Sequence, residues 1–84
     1  MPPVSTLSSL RCGSGAVVSG LNTEGAMRRR LMDMGFTPGS PVRALFRSCS
    51  GEPVAYLIHD TVIALRKEDA QSVLVEAAPD TVLT

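Results

Sequence analysis

Five short stretches of the chain carry the hydrophobic pattern of β-strands. They are rich in β-branched and other apolar residues and are bounded by glycine, proline or polar residues, which is typical of strands. The stretches are residues 15–21, 42–47, 54–58, 61–65 and 72–76. Only His59 and Asp60 separate the third stretch from the fourth, and a two-residue connection predicts a tight hairpin.

Apolar and polar positions alternate in the stretch that begins after Pro41. Side chains at alternate positions of a strand point to opposite faces, so Val42, Ala44 and Phe46 are predicted to share the core face. The positions between them, two of which are arginine, are predicted to face the other way. Pro41 can begin this strand but could not lie in its middle, because proline has no N–H to donate to the ladder.

One amphipathic helix is predicted between the first and second strands, at about residues 24–34. Met27, Leu31 and Met34 recur at the i, i+4 and i+7 spacing of a core-facing stripe. Gly35 follows at the position where helices commonly end in a left-handed residue, a conformation that glycine adopts without a Cβ penalty. The helix is therefore expected to end at Gly35.

Polar and turn-forming residues flank this helix on both sides. Asn22 or Thr23 is predicted to cap its start, and Glu24 is suitably placed at the positive end of the helix dipole. Beyond the helix, Pro38 and Gly39 fit the central positions of a type II turn, in which glycine takes the positive φ.

The order of these elements predicts the fold class. A single helical turn at residues 67–71 precedes the last strand. Five strands with one helix after the first indicate a mainly β protein, a small and strongly bent antiparallel barrel. The 84 residues are expected to form one domain with its core in residues 7–76. Residues 1–6 and 77–84 show no clear period and are expected to be loose.

Composition narrows the classes of function. Eight basic residues balance eight acidic ones, and a formal net charge of zero argues against a nucleic-acid-binding protein, whose affinity comes largely from contacts with phosphates. The chain shows neither a secretory signal nor an apolar run of roughly 18 to 20 residues that could span a bilayer. A cytoplasmic protein without membrane insertion is expected, with Cys12 and Cys49 as reduced thiols.

The weak candidates for metal ligands are His59, Asp60, Cys12 and Cys49. Their spacing matches neither a CxxC nor a zinc-finger pattern, and a closed zinc site needs about four ligands. No resident cofactor is therefore expected. An adventitious transition metal could still bind at the hairpin of His59 and Asp60, or between two molecules.

The sequence contains no motif for catalysis. The phosphate-binding pattern GxxxxGKS/T is missing, and the GSG at residues 13–15 precedes a strand rather than joining a strand to a helix. A nucleophile needs a base within hydrogen-bond reach and a third group to orient that base, whereas the chain has one histidine and no recognisable nucleophile elbow. The chain is therefore not expected to be an enzyme.

Three consecutive arginines, Arg28, Arg29 and Arg30, lie on the predicted helix. Successive helical residues are about 100° apart, so these side chains fan over roughly 200° and cannot all enter one groove. Arg28 and Arg29 are predicted to point to solvent near Met32, a candidate surface for a protein partner. A merely solvated helix face is the alternative. Arg30 flanks the core stripe and is predicted to pack its stem along the barrel.

Four stretches, taken in order, carry a resemblance to a known family. They are LSSLRCG at residues 7–13, RRRLMDMGFTPGSPV at 28–42, GEPVAYLI at 51–58 and VIALRKEDAQSVLVE at 62–76. In register, they resemble the FeoA family of ferrous iron transport accessory proteins, which implies an SH3-like β-barrel. The residues of the structural motif are, by this resemblance, Arg30, Leu31, Gly35, Pro38, Gly39 and Arg66.

The resemblance also implies a role in bacterial Fe(II) uptake. The family's small cytoplasmic protein assists the membrane transporter FeoB, so the expected function is non-enzymatic regulation through binding of the cytoplasmic part of FeoB. Two alternatives from other classes stay open: a free-standing module that regulates an iron-dependent repressor, and a sensor or chaperone that binds Fe(II). Self-association is left open as well.

Overall fold

The computed structural model describes residues 4–77, which form six strands and two α-helices. The strands are β1 (Val4–Thr6), β2 (Gly15–Leu21), β3 (Pro41–Arg47), β4 (Val54–Ile58), β5 (Thr61–Leu65) and β6 (Val73–Ala77). The helices are α1 (Gly25–Asp33), between β2 and β3, and α2 (Lys67–Ala70), before β6, with a 3-10 turn at Leu7–Ser9. The strands form one antiparallel sheet in the order β1-β6-β2-β3-β4-β5.

The hydrophobic core lies between the inner face of this sheet and the helices. Its buried members are Leu7, Ala16, Val18, Leu31, Phe36, Val42, Ala44, Tyr56, Ile58, Leu65, Ala70, Val73 and Val75. Helix α1 contributes Leu31, which is fully buried, while Met27 and Met34 pack against the cluster from the same side of the helix. The predicted apolar stripe is therefore confirmed. Burying one large aliphatic side chain of this kind stabilises the fold by about 1.5–3 kcal/mol.

Strands β2, β4 and β5 have the predicted bounds, and both predicted turns are confirmed. His59 and Asp60 connect β4 to β5 with φ angles of 48° and 63°. Two successive positive φ values are those of a type I′ turn, whose twist matches the twist of the strands. In the turn before β3, Gly39 has a φ of 92°, and the N–H of Ser40 donates to the carbonyl of Thr37 at 3.0 Å.

The pairing of Val4–Thr6 with β6 corrects the predicted loose N-terminus. These three residues form β1 and pair antiparallel with residues 74–76. Three residues are too few to show a hydrophobic period, and their partner lies at the other end of the described chain. The sheet therefore has six strands rather than about five. Ala77 was predicted to be loose as well, but it is the last residue of β6 and pairs with Ala16. Residues 1–3 and 78–84, also predicted to be loose, lie outside the described residues.

The start of helix α1 differs from the prediction. Glu24 is the N-cap residue, and its side chain makes no capping hydrogen bond. Gly25, with a φ of 67°, is the first helical residue, so Asn22 and Thr23 lie too early in the chain to supply the cap. The predicted cap is therefore wrong, since a capping side chain belongs to the N-cap residue itself.

The end of helix α1 is as predicted. Gly35 has a φ of 108°, and its N–H donates to the carbonyl of Met32 at 3.0 Å. The N–H of Phe36 donates to the carbonyl of Leu31, also at 3.0 Å. This pair of hydrogen bonds is a Schellman end, which satisfies two of the last helical carbonyls and needs a left-handed residue at Gly35.

A β-bulge in β3 reverses the prediction for Phe46. Ala44 pairs with Tyr56 and Phe46 pairs with Ala55, so Leu45 is an extra residue in β3. Because the side-chain period of a strand is two, one extra residue turns the following side chains to the opposite face. The predicted core positions before the bulge are buried, whereas Phe46 is 62% exposed. Its assignment to the core face is wrong.

Candidate protein-docking surface

The three residues predicted to bind a partner lie together on one side of α1. Arg28 and Arg29 are exposed, and Met32 is 39% exposed. All three line a shallow depression that also includes Asp33. Arg28 Nη1 donates to the carbonyl of Leu21 at 3.4 Å, which links this side of the helix to the end of β2. The predicted exposure is confirmed, and the docking role itself stays a prediction.

Arg30 does not pack as the sequence predicts. Its side chain is 62% exposed, and its Nη2 lies 3.9 Å from Oδ2 of Asp69. Within residues 4–77 this is the one ion pair, and its distance is at the long limit for such a contact. An arginine one position before the buried Leu31 is rotated by about 100° from it, and Arg30 lines an open depression with Met27 and Ala64 rather than packing into the core. The predicted packed stem is therefore wrong.

The other motif residues act through the core and the backbone. Leu31 is buried, while Gly35 and Gly39 have the positive φ values that end α1 and form the turn after Pro38. Arg66 is the N-cap residue of α2, and its carbonyl accepts hydrogen bonds from two N–H groups of that helix at 3.0 Å. Its side chain is exposed. Gly35 therefore fixes the end of α1, and Arg66 fixes the start of α2.

His59, the only histidine of the chain, is hydrogen-bonded to a buried serine. Its Nε2 lies 3.1 Å from Oγ of Ser40, and that Oγ lies 2.8 Å from Oγ1 of Thr37. A serine beside an imidazole could suggest a nucleophile and its base. Ser40 is only 6% exposed, however, so a substrate could not reach its hydroxyl. The chain of hydrogen bonds instead ties the β4–β5 turn to the turn before β3.

The four weak metal candidates are not brought together. Cys12 precedes β2, Cys49 lies between β3 and β4, and both thiols are free and exposed. His59 and Asp60 share the hairpin turn. Across the described part of the chain, no three His, Cys, Asp or Glu side chains are grouped so that they could hold a metal ion. Metal binding at these residues stays a prediction of weak or intermolecular contact.

Tyr56 is a buried titratable residue to which the sequence assigned no role. It is 1% exposed, and its hydroxyl donates to the carbonyl of Leu7 at 3.4 Å. Burial raises the pKa of Tyr56 above its ordinary value of 10.0, although the nearby charge of Arg47 lowers that pKa in part. The hydroxyl therefore stays protonated and links β4 to the turn after β1.

Two exposed apolar side chains were missed by sequence reasoning. Phe46 is 62% exposed and Val62 is 58% exposed. Residues 61–65 (TVIAL) are apolar at four consecutive positions, so the pattern alone does not show which of them face outward. The alternation of β3 predicted that Phe46 faces the core, because no local residue type marks the bulge at Leu45. The outward turn of both residues follows only from the strand register.

The short strands form one curled antiparallel sheet, which defines a small SH3-like β-domain. Its candidate sites lie on exposed surfaces. The chain belongs to the FeoA family, because residues 5–77 match the family described as the FeoA domain. Neither helix of the described residues is long and apolar enough to cross a membrane. The predicted fold class and family resemblance are both confirmed.

Comparison with known proteins gives three informative relatives. A Porphyromonas gingivalis (strain ATCC BAA-308 / W83) protein, named as a fusion of Fe(2+) transport protein A and Fe(2+) transporter FeoB, is 36% identical over 70 residues. These residues are 83% of this chain but 8% of the fusion protein. The solution structure of iron(II) transport protein A from Clostridium thermocellum has a TM-score of 0.83 and 32% identity, over 87% of this chain and 45% of that one.

A third relative is matched over most of its own length. The crystal structure of Stenotrophomonas maltophilia FeoA complexed with zinc, described as an SH3 domain protein, has a TM-score of 0.76 and 35% identity. The match covers 83% of this chain and 87% of that one. By contrast, the present chain spans less than half of the Clostridium protein and a small part of the fusion protein.

Proposed function

We propose that this chain is a non-enzymatic cytoplasmic accessory protein of bacterial Fe(II) uptake, which acts by binding the cytoplasmic part of the transporter FeoB. The observation that carries the proposal is the Porphyromonas gingivalis relative, which is 36% identical to this chain over 70 residues and is named as a fusion of Fe(2+) transport protein A with the transporter FeoB. Two activities joined in one polypeptide are held at high effective concentration, which favours their association. In the present protein, that association would have to come from a binding surface.

The exposed side of α1 supplies groups suited to such a surface. Arg28 and Arg29 present two exposed guanidinium groups, and neither forms an ion pair with another residue of the described range 4–77. Met32 adds an exposed, flexible apolar side chain beside them. Arginine and methionine are enriched at protein interfaces, while methionine adapts its shape to a partner. This side of the helix therefore supports the binding function.

The geometry of residues 4–77 gives no support to a catalytic step. The Ser40 hydroxyl beside His59 is buried, and the thiols of Cys12 and Cys49 lie in separate exposed loops. The proposal therefore assigns nucleotide chemistry and iron translocation to the transporter and assigns only binding to this chain.

The functional test is uptake of radiolabelled Fe(II) by purified transporter in vesicles, with the full chain added on the cytoplasmic side. We expect the chain to change the uptake rate in a saturable way. Arg29→Glu should weaken this effect, because the reversed charge opposes the complementarity of the interface. Lys67→Glu is the matched control, since Lys67 is an exposed cation on α2, away from this side of α1. An uptake rate that no concentration of the wild-type chain alters would contradict the proposal.

A further inference from the structure

The bulge at Leu45 turns Phe46 out of the core and onto the outer face of the sheet. An aromatic side chain that is 62% exposed keeps most of its apolar surface in water, which costs the fold the stabilisation that burial would have given. Bulges are found where a protein re-aims one side chain, often beside a functional site. The position of Phe46 therefore points to a use outside the core.

The strand register places Phe46 on the same face of the sheet as several other apolar residues. Phe46 pairs with Ala55, and Ala55 pairs with Ala64, so one row of apolar residues crosses β3, β4 and β5. On the same face, Leu57 of β4 pairs with Val62 of β5. Phe46 and Val62 are the two most exposed large apolar residues in the described chain. Ala55 itself is only 6% exposed. We call this surface, made of Phe46, Leu57, Val62 and Ala64 around the buried Ala55, the Phe46 face.

Two arginines, Arg11 and Arg43, lie beside the Phe46 face on the β3 side. Arg43 lies on the same face, opposite Leu57, and its Nη1 donates to the carbonyl of Gly13 at 2.8 Å. Arg11 belongs to the loop that this bond holds against β3. Arg47 pairs with Val54, so it lies on the opposite face of β3 from Phe46, where it lines a depression with Glu52. Neither Arg11 nor Arg43 forms an ion pair within residues 4–77.

On the β5 side the charge is mixed. Arg66 follows this strand and lines a depression that also includes Glu52 and Glu68. The positive charge without an ion-pair partner, that of Arg11 and Arg43, therefore lies on the β3 side.

We propose that the Phe46 face is a protein-docking surface, with Phe46 as its aromatic anchor. The partner that fits is a protein surface with an apolar pocket whose rim carries Asp or Glu side chains on one side. Aromatic and arginine residues are enriched among the few that dominate binding energy, and opposite charges at the rim steer association. The inference rests on the proposed function, under which this pocket belongs to the cytoplasmic part of the transporter.

A second copy of this chain fits the Phe46 face less well. A two-fold contact would place the same patch on both subunits, so the arginines would meet arginines without carboxylates on the β3 side. Single-stranded nucleic acid could stack on Phe46, but a formal net charge of zero gives weak attraction to a phosphate backbone. An apolar protein pocket rimmed by carboxylates would bury the Phe46 ring and pair with the arginines.

The test measures binding of full-chain variants to the immobilised, purified cytoplasmic part of the transporter. Phe46→Ser should weaken binding at least about tenfold, as expected for an interface anchor. Val62→Thr keeps the β-branched shape of the strand residue and should weaken binding by a smaller factor. Gln71→Ala, at an exposed position on the α2 side, is the control and should bind like the wild type. All variants should keep the wild-type melting temperature, because the altered side chains are exposed.

Each other outcome overturns the inference in a recognisable way. If Phe46→Ser binds the transporter part normally while Arg29→Glu does not bind it, the docking surface is helix α1 and not the Phe46 face. The proposed function is then retained. If the wild type sediments as a dimer that Phe46→Ser dissociates, the occupant is a second copy. If a labelled oligothymidylate binds the wild type but not Phe46→Ser, the occupant is nucleic acid. If the wild type does not bind the transporter part at all, the proposed function fails together with the inference.

Discussion

Gly35 at the end of α1 lies directly against the imidazole of His59 in the β4–β5 turn. A Cβ added at Gly35 would stand 2.8 Å from Cδ2 of His59, closer than such atoms normally approach. Gly35 also has a φ of 108°, which side-chain-bearing residues rarely adopt. Two separate constraints, one from the backbone and one from the neighbouring ring, therefore require glycine here. The contact places the end of α1 directly against the β4–β5 turn.

Gly35→Ala should destabilise the protein more than Gly39→Ala. Gly39 has a comparable φ of 92°, but an added Cβ there would meet nothing within 4 Å, so only the backbone strain of about 1–2 kcal/mol applies. Gly35→Ala adds the clash with His59, for which we expect about 1–3 kcal/mol more. Chemical denaturation of both variants measures the difference.

A double-mutant cycle can measure how much of the destabilisation by Gly35→Ala comes from the clash with the His59 imidazole. Gly35→Ala should be less damaging in a His59→Ala background, because the clashing Cδ2 is then gone. Equal losses in both backgrounds would mean that the ring moves aside freely and that backbone strain alone fixes Gly35.

Arg30→Ala should change the free energy of unfolding by no more than about 0.5 kcal/mol, because exposed and long ion pairs contribute little. The Arg30 side chain is 62% exposed, and its contact with Asp69 is 3.9 Å long. Leu31→Ala, at the next position of the same helix, is the contrasting control and should cost about 2–5 kcal/mol. A loss well above 1 kcal/mol for Arg30→Ala in thermal melts would restore the packed stem that the sequence predicted.

Stability should fall in alkaline solution because of Tyr56. Its pKa is raised by burial, so the folded state keeps the hydroxyl protonated where the unfolded state ionises. The stabilising contribution is therefore complete below the unfolded pKa of about 10 and is lost as pH rises through the higher pKa of the folded state. Denaturation midpoints from about pH 8 to about pH 11 should show this fall, and Tyr56→Phe should make it shallower.

Tyr56 is the only tyrosine of the chain, so its ionisation can also be followed directly. Tyrosinate absorbance of the folded protein should appear at higher pH than that of the unfolded protein. Coincident titration curves would show that the hydroxyl is open to water, contrary to its burial in this structure.

Zinc should bind the isolated chain only weakly. The His59 imidazole is engaged with Ser40 through Nε2, and no group of three metal-binding side chains exists in the described residues. A calorimetric titration of the metal-free chain with Zn(II) should therefore give no sub-micromolar site. A tight, stoichiometric site that His59→Ala abolishes would support the alternative function as a metal sensor.

The bounds of β2, β4 and β5 could be predicted because local patterns determine them. The β-branched run of β2 and the apolar runs of β4 and β5 appear in the sequence with the bounds that the structure has. Gly35 and Gly39 likewise marked their turns, since few other residues tolerate a positive φ. These features depend on residues close together in the chain.

The features that were missed depend on distant partners. Val4–Thr6 form a strand because they pair with residues 74–76 of β6. Phe46 faces outward because the pairing register of β3 and β4 shifts at Leu45. The packing of Arg30 depends on which part of the barrel lies beside α1, which helical periodicity cannot show. The Phe46 face could therefore not be predicted from the sequence, whereas the exposed side of α1 could.

The central claim is that this chain acts by binding the cytoplasmic part of the ferrous iron transporter. The most direct measurement is a calorimetric titration of that purified part with the full chain, in the presence of GDP and of a non-hydrolysable GTP analogue. We predict saturable binding in at least one nucleotide state, weakened by Arg29→Glu although this variant melts like the wild type. Absence of binding in both states, with a folded chain and a nucleotide-competent transporter part, would contradict the account.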